Sequence, residues 1–166
     1  MKNLSIGVVC GILLLLAGEF LFAIEGGMPV ATQAPPLPLE KYIAHKAIHA
    51  KVDPEAGRAS PLPADEANRR RGAEIYGAQC AVCHGQANRP MSAIATGMFP
   101  RPPQLFPWKK HPVESPAGGI YWRVKYGIRM TGMPGYGDSL TDTEMWQVSQ
   151  FWLHPLIAED LVIGKK

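Results

Sequence analysis

The chain opens on an unbroken apolar run. From Leu4 to Ile24 there are 21 residues, and Glu19 is the only charged one. A helix of that length, at about 1.5 Å per residue, spans roughly 30 Å, the thickness of a bilayer core. Lys2 precedes the run, so the positive-inside rule leaves the start in the cytoplasm and exports the rest. Two fates are open for it, a cleaved signal peptide and a retained anchor. A signal peptidase site needs small residues at A-x-A spacing. Ala17, Gly18 and Ala23 are small, but Leu15, Leu16 and Leu21 fill the matching upstream positions, which favours the anchor. Cys10 lies early in the run, after "GVV", and reads as a small apolar residue.

Helical periodicity returns further along. "ADEANRRRGAEIYGAQC" predicts a helix from Asp65 to about Gly77, with Asp65 and Glu66 at its start and Arg69, Arg70 and Arg71 beyond, as the helix dipole favours. Gly72 costs about 1 kcal/mol of helix propensity against alanine, so it points to the close approach of another helix. "GGIYWRVKYGIR" predicts a second helix with Ile120, Val124 and Ile128 on one face and Gly127 near its end. "LTDTEMWQVSQFWLH" predicts the last one. Thr141 and Glu144 form its capping box, Met145, Val148, Ser149 and Trp152 share a face, Trp146 and Phe151 flank them, and Pro155 ends it. No strand alternation and no internal repeat is visible, so the fold class is all-α.

The prolines divide the rest. Residues 25–63 hold seven prolines and four charges of each sign, the composition of a partly extended linker. Within it "LEKYIAHKAIHA" can form a short helix with Leu39, Ile43 and Ala47 on one face, where His45 and His49 read as a solvated pair. Seven more prolines between Gly85 and Gly119 forbid long elements there. The expected organisation is a signal or anchor helix at 1–24, a linker at 25–63, a helical domain at 64–155 and a tail at 156–166. The formal net charge of +3 is too small to argue for nucleic acid, and no basic-aromatic stripe supports one. Three short helices with proline-rich loops leave a thin apolar core for about 90 residues. A large apolar cofactor would fill it.

"CAVCH", residues 80–84, supplies the chemistry. Zinc needs four ligands, usually in two close pairs, and His84 next to Cys83 points away from a metal held by both thiolates. A thioredoxin-like dithiol belongs to a βαβ context, which is absent. A disulfide across two residues adds little. A covalent haem suits the spacing best. Cys80 and Cys83 would form thioethers to the two vinyl groups one helical turn apart, and His84 would then reach the iron. For the sixth ligand Met133 is chosen, 49 residues beyond His84 in the Gly/Pro-rich "GIRMTGMPGYGDSL". Its thioether is soft and neutral, and opposite a histidine it raises the reduction potential. Met130, Met98, Met91 and His111 compete, and a vacant position would permit chemistry on small molecules.

"GAEIYGAQCAVCHG", the proline-rich loop and "GMPGYGDSLTDTEMWQVSQFWLH", in that order, resemble a class I (mitochondrial-type) c-type cytochrome over residues 66–155. The resemblance implies a small cytochrome c fold with one haem c bonded to Cys80 and Cys83 and axial ligands His84 and Met133. It implies that the first and last domain helices cross, Gly72 and Tyr76 meeting the face around Trp146 and Trp152. It also implies a proline carbonyl, of Pro102 or Pro103, against the proximal histidine. For the haem edge and propionates it leaves Arg101, Trp108, Tyr121, Trp122, Arg123 and Tyr136. The expected function is a one-electron carrier, not an enzyme. It would sit on the periplasmic side of a bacterial inner membrane, anchored by the N-terminal helix or soluble after cleavage. Its redox partners would be a quinol-oxidising complex, a dehydrogenase or a terminal oxidase. The alternatives are a fixed cytochrome subunit of a larger respiratory or dehydrogenase complex, and a haem enzyme with a labile sixth ligand.

Overall fold

The computed structural model describes residues 2–106 and 116–153. It forms two compact units, one ending at Pro38 and one beginning at Leu39. The first is built on α1 (Lys2–Ile24), whose stretch Asn3–Ile24 is long and apolar enough to cross a membrane, a property that an N-terminal signal sequence shares. Its leucines face outward all round, and no protein core covers them.

The second unit holds α2 (Glu40–Ala56), α3 (Glu66–Ile75), a wide π turn (Tyr76–Cys80), α4 (Ala81–His84), α5 (Ala93–Gly97), α6 (Ala117–Tyr126) and α7 (Asp142–Leu153). The described residues contain no strand. The all-α class expected from the helical pattern is therefore the one observed, and it is consistent with the small cytochrome c fold that the resemblance implies. Pro155, the expected stop for α7, and the tail lie outside the described residues, as do Trp108 and His111.

α3 and α7 cross at Gly72. A Cβ there would stand 2.1 Å from the Gln147 carbonyl oxygen and 3.0 Å from the Phe151 Cβ, so only glycine lets the two backbones touch. One turn later Tyr76, fully buried, sets its ring 5.2 Å from Phe151 and 6.2 Å from Trp152. Polar bonds flank the seam: Gln147 Nε2 donates to Asn68 Oδ1 at 2.9 Å, and Arg71 reaches Glu144 at 2.9 Å. Asp65 caps α3 by accepting from the Asn68 N–H. At α7 the Thr141 N–H and hydroxyl each donate to Glu144 at 3.0 Å, and the Glu144 N–H returns a bond to Thr141 Oγ1, the reciprocal box expected from the sequence.

The second compact unit begins inside the proline-rich stretch that was expected to be a linker. From Leu39 on the chain belongs to the folded unit, because α2 is longer than its proline-flanked surroundings suggest and docks on α6. The contact is backbone to backbone: a Cβ on Gly118 would lie 2.1 Å from the Glu55 carbonyl oxygen and 2.7 Å from that of Arg58. Val52 is the one side chain of α2 that is buried. Arg58 then lays its guanidinium 4.9 Å from the Tyr121 ring centroid and 5.3 Å from that of Trp146, two rings stacked 4.2 Å apart. Arg58 is exposed, so this cation–π contact is worth about 0.5–1 kcal/mol. Proline content hid this, since a linker and a strap with one buried valine look alike in one sequence. His45 and His49 stand on the outer side of α2 with ring centroids 4.2 Å apart, and His49 Nδ1 meets Asp53 at 3.0 Å.

Two outcomes test this packing. Gly118→Val should separate α2 from α6 at a cost of about 1–3 kcal/mol. Hydrogen exchange over residues 40–56 should then accelerate roughly ten- to hundredfold, while α3 and α7 keep their protection. The second concerns Glu144, whose pKa is held below its ordinary 4.5 by the Thr141 N–H, then by Arg71 and the Thr141 hydroxyl. A depressed carboxylate stabilises the fold above its unfolded value and stops doing so as pH falls through the folded value. Denaturation profiles of Glu144→Gln and wild type should therefore differ most above pH 4.5 and converge as the pH drops below it.

Candidate functional site

Cys80, Cys83, His84 and Met133 line one cavity of about 530 Å³. That size suits a small-molecule cofactor. Apolar walls dominate: Leu105, Ile120, Val124 and Ile128 close the inside, with Trp152 at one side. No disulfide joins Cys80 and Cys83. Burial, then the neighbouring Cys83, pushes the Cys80 thiol up to about 12. A redox-active dithiol needs a lowered value, so the thiolate chemistry of a CxxC oxidoreductase is disfavoured here. No group of three or more His, Cys, Asp or Glu side chains suited to a metal ion exists among the described residues, so the cluster is not a zinc cage either.

The histidine is held from behind. Its Nδ1 donates to the Pro103 carbonyl at 2.9 Å, which resolves the choice between Pro102 and Pro103. A proton fixed on Nδ1 leaves Nε2 with a free lone pair. Burial lowers the His84 pKa, the carbonyl bond opposing it, so the neutral ring is favoured. The segment that carries Pro103 is tied on both sides. The Leu105 N–H donates to the His84 carbonyl at 2.8 Å, and Gln104 Nε2 donates to the Cys83 carbonyl at 2.9 Å. Gly85, at φ +89, passes so close that a Cβ would meet Gln104 Oε1 at 2.7 Å. Gln104 was not foreseen, because nothing in a proline-rich loop distinguishes a glutamine that clamps a backbone from one in solvent.

Met133 is brought in by the end of α6. The Gly127, Tyr136 and Gly137 N–H groups take the carbonyls of Arg123, Val124 and Lys125, so the returning chain caps the helix that precedes it. Between them the loop folds on itself: Ile128 N–H reaches the Met133 carbonyl at 3.1 Å, and Met133 N–H reaches Thr131 Oγ1 at 3.1 Å. Gly127 sits at φ +65, and a Cβ on it would stand 2.5 Å from Gly135 N and 2.6 Å from Pro134 C. Tyr136 closes the far side by donating to the Gln79 carbonyl at 3.0 Å.

The competing sulfurs separate. Met130 is 91 % exposed and Met91 38 %, and neither lines the cavity. Met98 does line it, its methyl lying in the space that a Gly132 side chain would take. Of the candidates for the cofactor's polar edge, Arg101, Arg123 and Tyr136 face the cavity. Tyr121 is instead core, stacked on Trp146 with its hydroxyl on Asp142, and Trp122 leans on Tyr126 at 5.3 Å; neither lines the cavity.

Two cysteines one turn apart, an imidazole with its back proton held, a thioether lining the same space and two guanidinium groups in an apolar hollow fit a haem. The fold and this donor set define a c-type cytochrome. The family model described as "Cytochrome C oxidase, cbb3-type, subunit III" matches residues 67–151, just over half the chain. The chain belongs to this family. A cytochrome c domain implies covalently bound haem c and haem-based electron transfer. Among solved structures, a chain of the reducing HAO-like protein complex of Kuenenia stuttgartiensis is similar at 24 % identity and a TM-score of 0.48, over 59 % of this chain and 47 % of that one. The similarity thus spans less than half the length of that chain. No curated protein matches.

Gly127→Ala should lose about 1–3 kcal/mol, since it combines a left-handed backbone with a backbone clash. Urea unfolding measures the loss, and limited proteolysis should cut within residues 128–137 first.

Proposed function

We propose that the protein is an exported one-electron carrier with a single haem c. Cys80 and Cys83 would hold the ring through thioethers, His84 Nε2 and the Met133 sulfur would ligate its iron, and Arg101, Arg123 and Tyr136 would face its polar edge. The observation that carries this reading is the His84–Pro103 bond beside Cys80 and Cys83 in a cavity that Met133, on a tied-down loop, lines as well. A haem held in this way supplies one reversible electron and, with both axial positions filled, no open site for substrate. The chain does the rest. Leu105, Ile120, Val124 and Ile128 keep water out, and the Pro103 carbonyl fixes the imidazole. The Met133 thioether, as a ligand, would favour ferrous iron and raise the potential.

α1 supports attachment to the periplasmic face of a bacterial inner membrane if it is retained, and export if it is cut. The link between α1 and the folded unit runs from Glu25 to Pro38. Fourteen residues, 25 through 38, reach at most about 50 Å when fully extended. Such a leash confines the carrier near its donor and acceptor and raises their effective concentration. The partners proposed are a quinol-oxidising complex or a dehydrogenase as donor and a terminal oxidase as acceptor. The family's description as an oxidase subunit favours a second reading, a cytochrome fixed in a larger complex. Gentle membrane solubilisation separates the two: a carrier leaves as a single chain, a subunit leaves with its partners.

Methionine variants test the ligand assignment. Met133→Ala should keep the haem mass, lose the sulfur-to-iron charge-transfer band of the oxidised protein, lower the potential and bind carbon monoxide. Met98→Ala should keep the band. The opposite pattern would make Met98 the ligand.

A further inference from the structure

Between α3 and α4 the helix takes one residue more than it needs. The Ala81 N–H bonds to the Tyr76 carbonyl, five residues back, where an α-helix would bond four back. Before the turn, Tyr76 still bonds Gly72, and after it Gly85 bonds Ala81, both at the ordinary spacing. The turn is thus a single insertion in an otherwise continuous helical stretch from Glu66 to His84. Gly77, Ala78 and Gln79 in its middle are exposed, and a Cβ on Gly77 would touch nothing. The turn's tertiary contact falls at its C-terminal end, where the Gln79 carbonyl accepts from the Tyr136 hydroxyl at 3.0 Å.

Its effect is rotational. An α-helix advances about 100° per residue, so seven residues return to within about 20° of the start and eight overshoot to about 80°. Cys83 is seven residues after Tyr76 and His84 is eight. In an unbroken helix Cys83 would share the face of Tyr76, and His84 would lie about a quarter turn away. With one residue absorbed by the turn, His84 takes the seventh place. The contacts agree: Tyr76 and His84 both present their rings to Trp152, at 6.2 and 6.3 Å, and the Tyr76 hydroxyl donates to the Gly85 carbonyl at 2.7 Å.

We propose that the extra residue of this turn, with Ala78 at its centre, is a register device that aims His84 at Trp152 and Pro103, and so directs the whole CAVCH segment toward the Met133 loop. The inference rests on the haem reading above and adds what orients the site within the fold. Ala78 acts as a positioning residue through its presence in the count and not through its side chain.

The test is a deletion of Ala78 in the full chain, beside a variant in which the alanine is removed and one is inserted between Gln79 and Cys80. The deletion leaves Cys80, Val82, Cys83 and His84 in their order, so the haem mass should remain. The three binding side chains would turn together by about 100° away from Met133. The sulfur-to-iron band should vanish, and carbon monoxide should bind. The re-inserted variant should recover the band and exclude carbon monoxide. A deletion variant that keeps the band overturns the proposal. So does a re-inserted variant that fails to recover it, and that comparison decides the case even where the deletion alone accumulates unfolded. A wild-type chain without haem would instead overturn the reading beneath.

Discussion

The backbone contact between α3 and α7 at Gly72 sets the frame on which the site is built. It holds the two helices at a separation that no side chain could share, with the Gln147 carbonyl 2.1 Å from where a Cβ would sit. From that fixed point the register runs forward. Tyr76 enters the aromatic layer of Phe151 and Trp152, and its hydroxyl reaches the Gly85 carbonyl just past the ligand segment. Everything the haem site requires from the N-terminal half is thereby placed against α7.

The C-terminal half is placed by a different device. α6 offers its last carbonyls to the chain that returns past it, and the loop carrying Met133 is fixed by capping a helix, not by burial of its own side chains. The two halves meet across a hollow with apolar walls. Between its short helices and many prolines the folded chain leaves about 530 Å³, space that a cofactor would fill in place of core. α2 completes the outside by resting on Gly118 and setting Arg58 on the Tyr121–Trp146 stack. It lies before residue 67, where the family match begins, and so is an addition to the shared domain.

Much of this was legible in the sequence because it rests on local chemistry. The capping box at Thr141 and Glu144, the apolar period of α7, and the glycine at the helix crossing each leave a mark within a few residues. The spacing of Cys80, Cys83 and His84 does the same for the site. What was not legible depends on distant partners. Pro103 could not be told from Pro102 until the fold showed which carbonyl faces His84. Gln104 bonds a backbone some twenty residues away. The wide turn at Tyr76–Cys80 has no sequence signal beyond small residues, since an insertion of one residue in a helix becomes visible only when the faces before and after it are seen together. A short helix at the start of α2 was legible, but its docking was not: the surrounding prolines spoke louder than its single buried valine.

The central claim is that a porphyrin is bonded through sulfur to Cys80 and Cys83 of this one domain. Intact-mass spectrometry of the protein matured in a haem-exporting host tests it most directly. The account predicts the polypeptide mass plus one haem, retained after acid denaturation and carried by the peptide containing residues 80–84. A folded, properly exported chain with the bare polypeptide mass would contradict it.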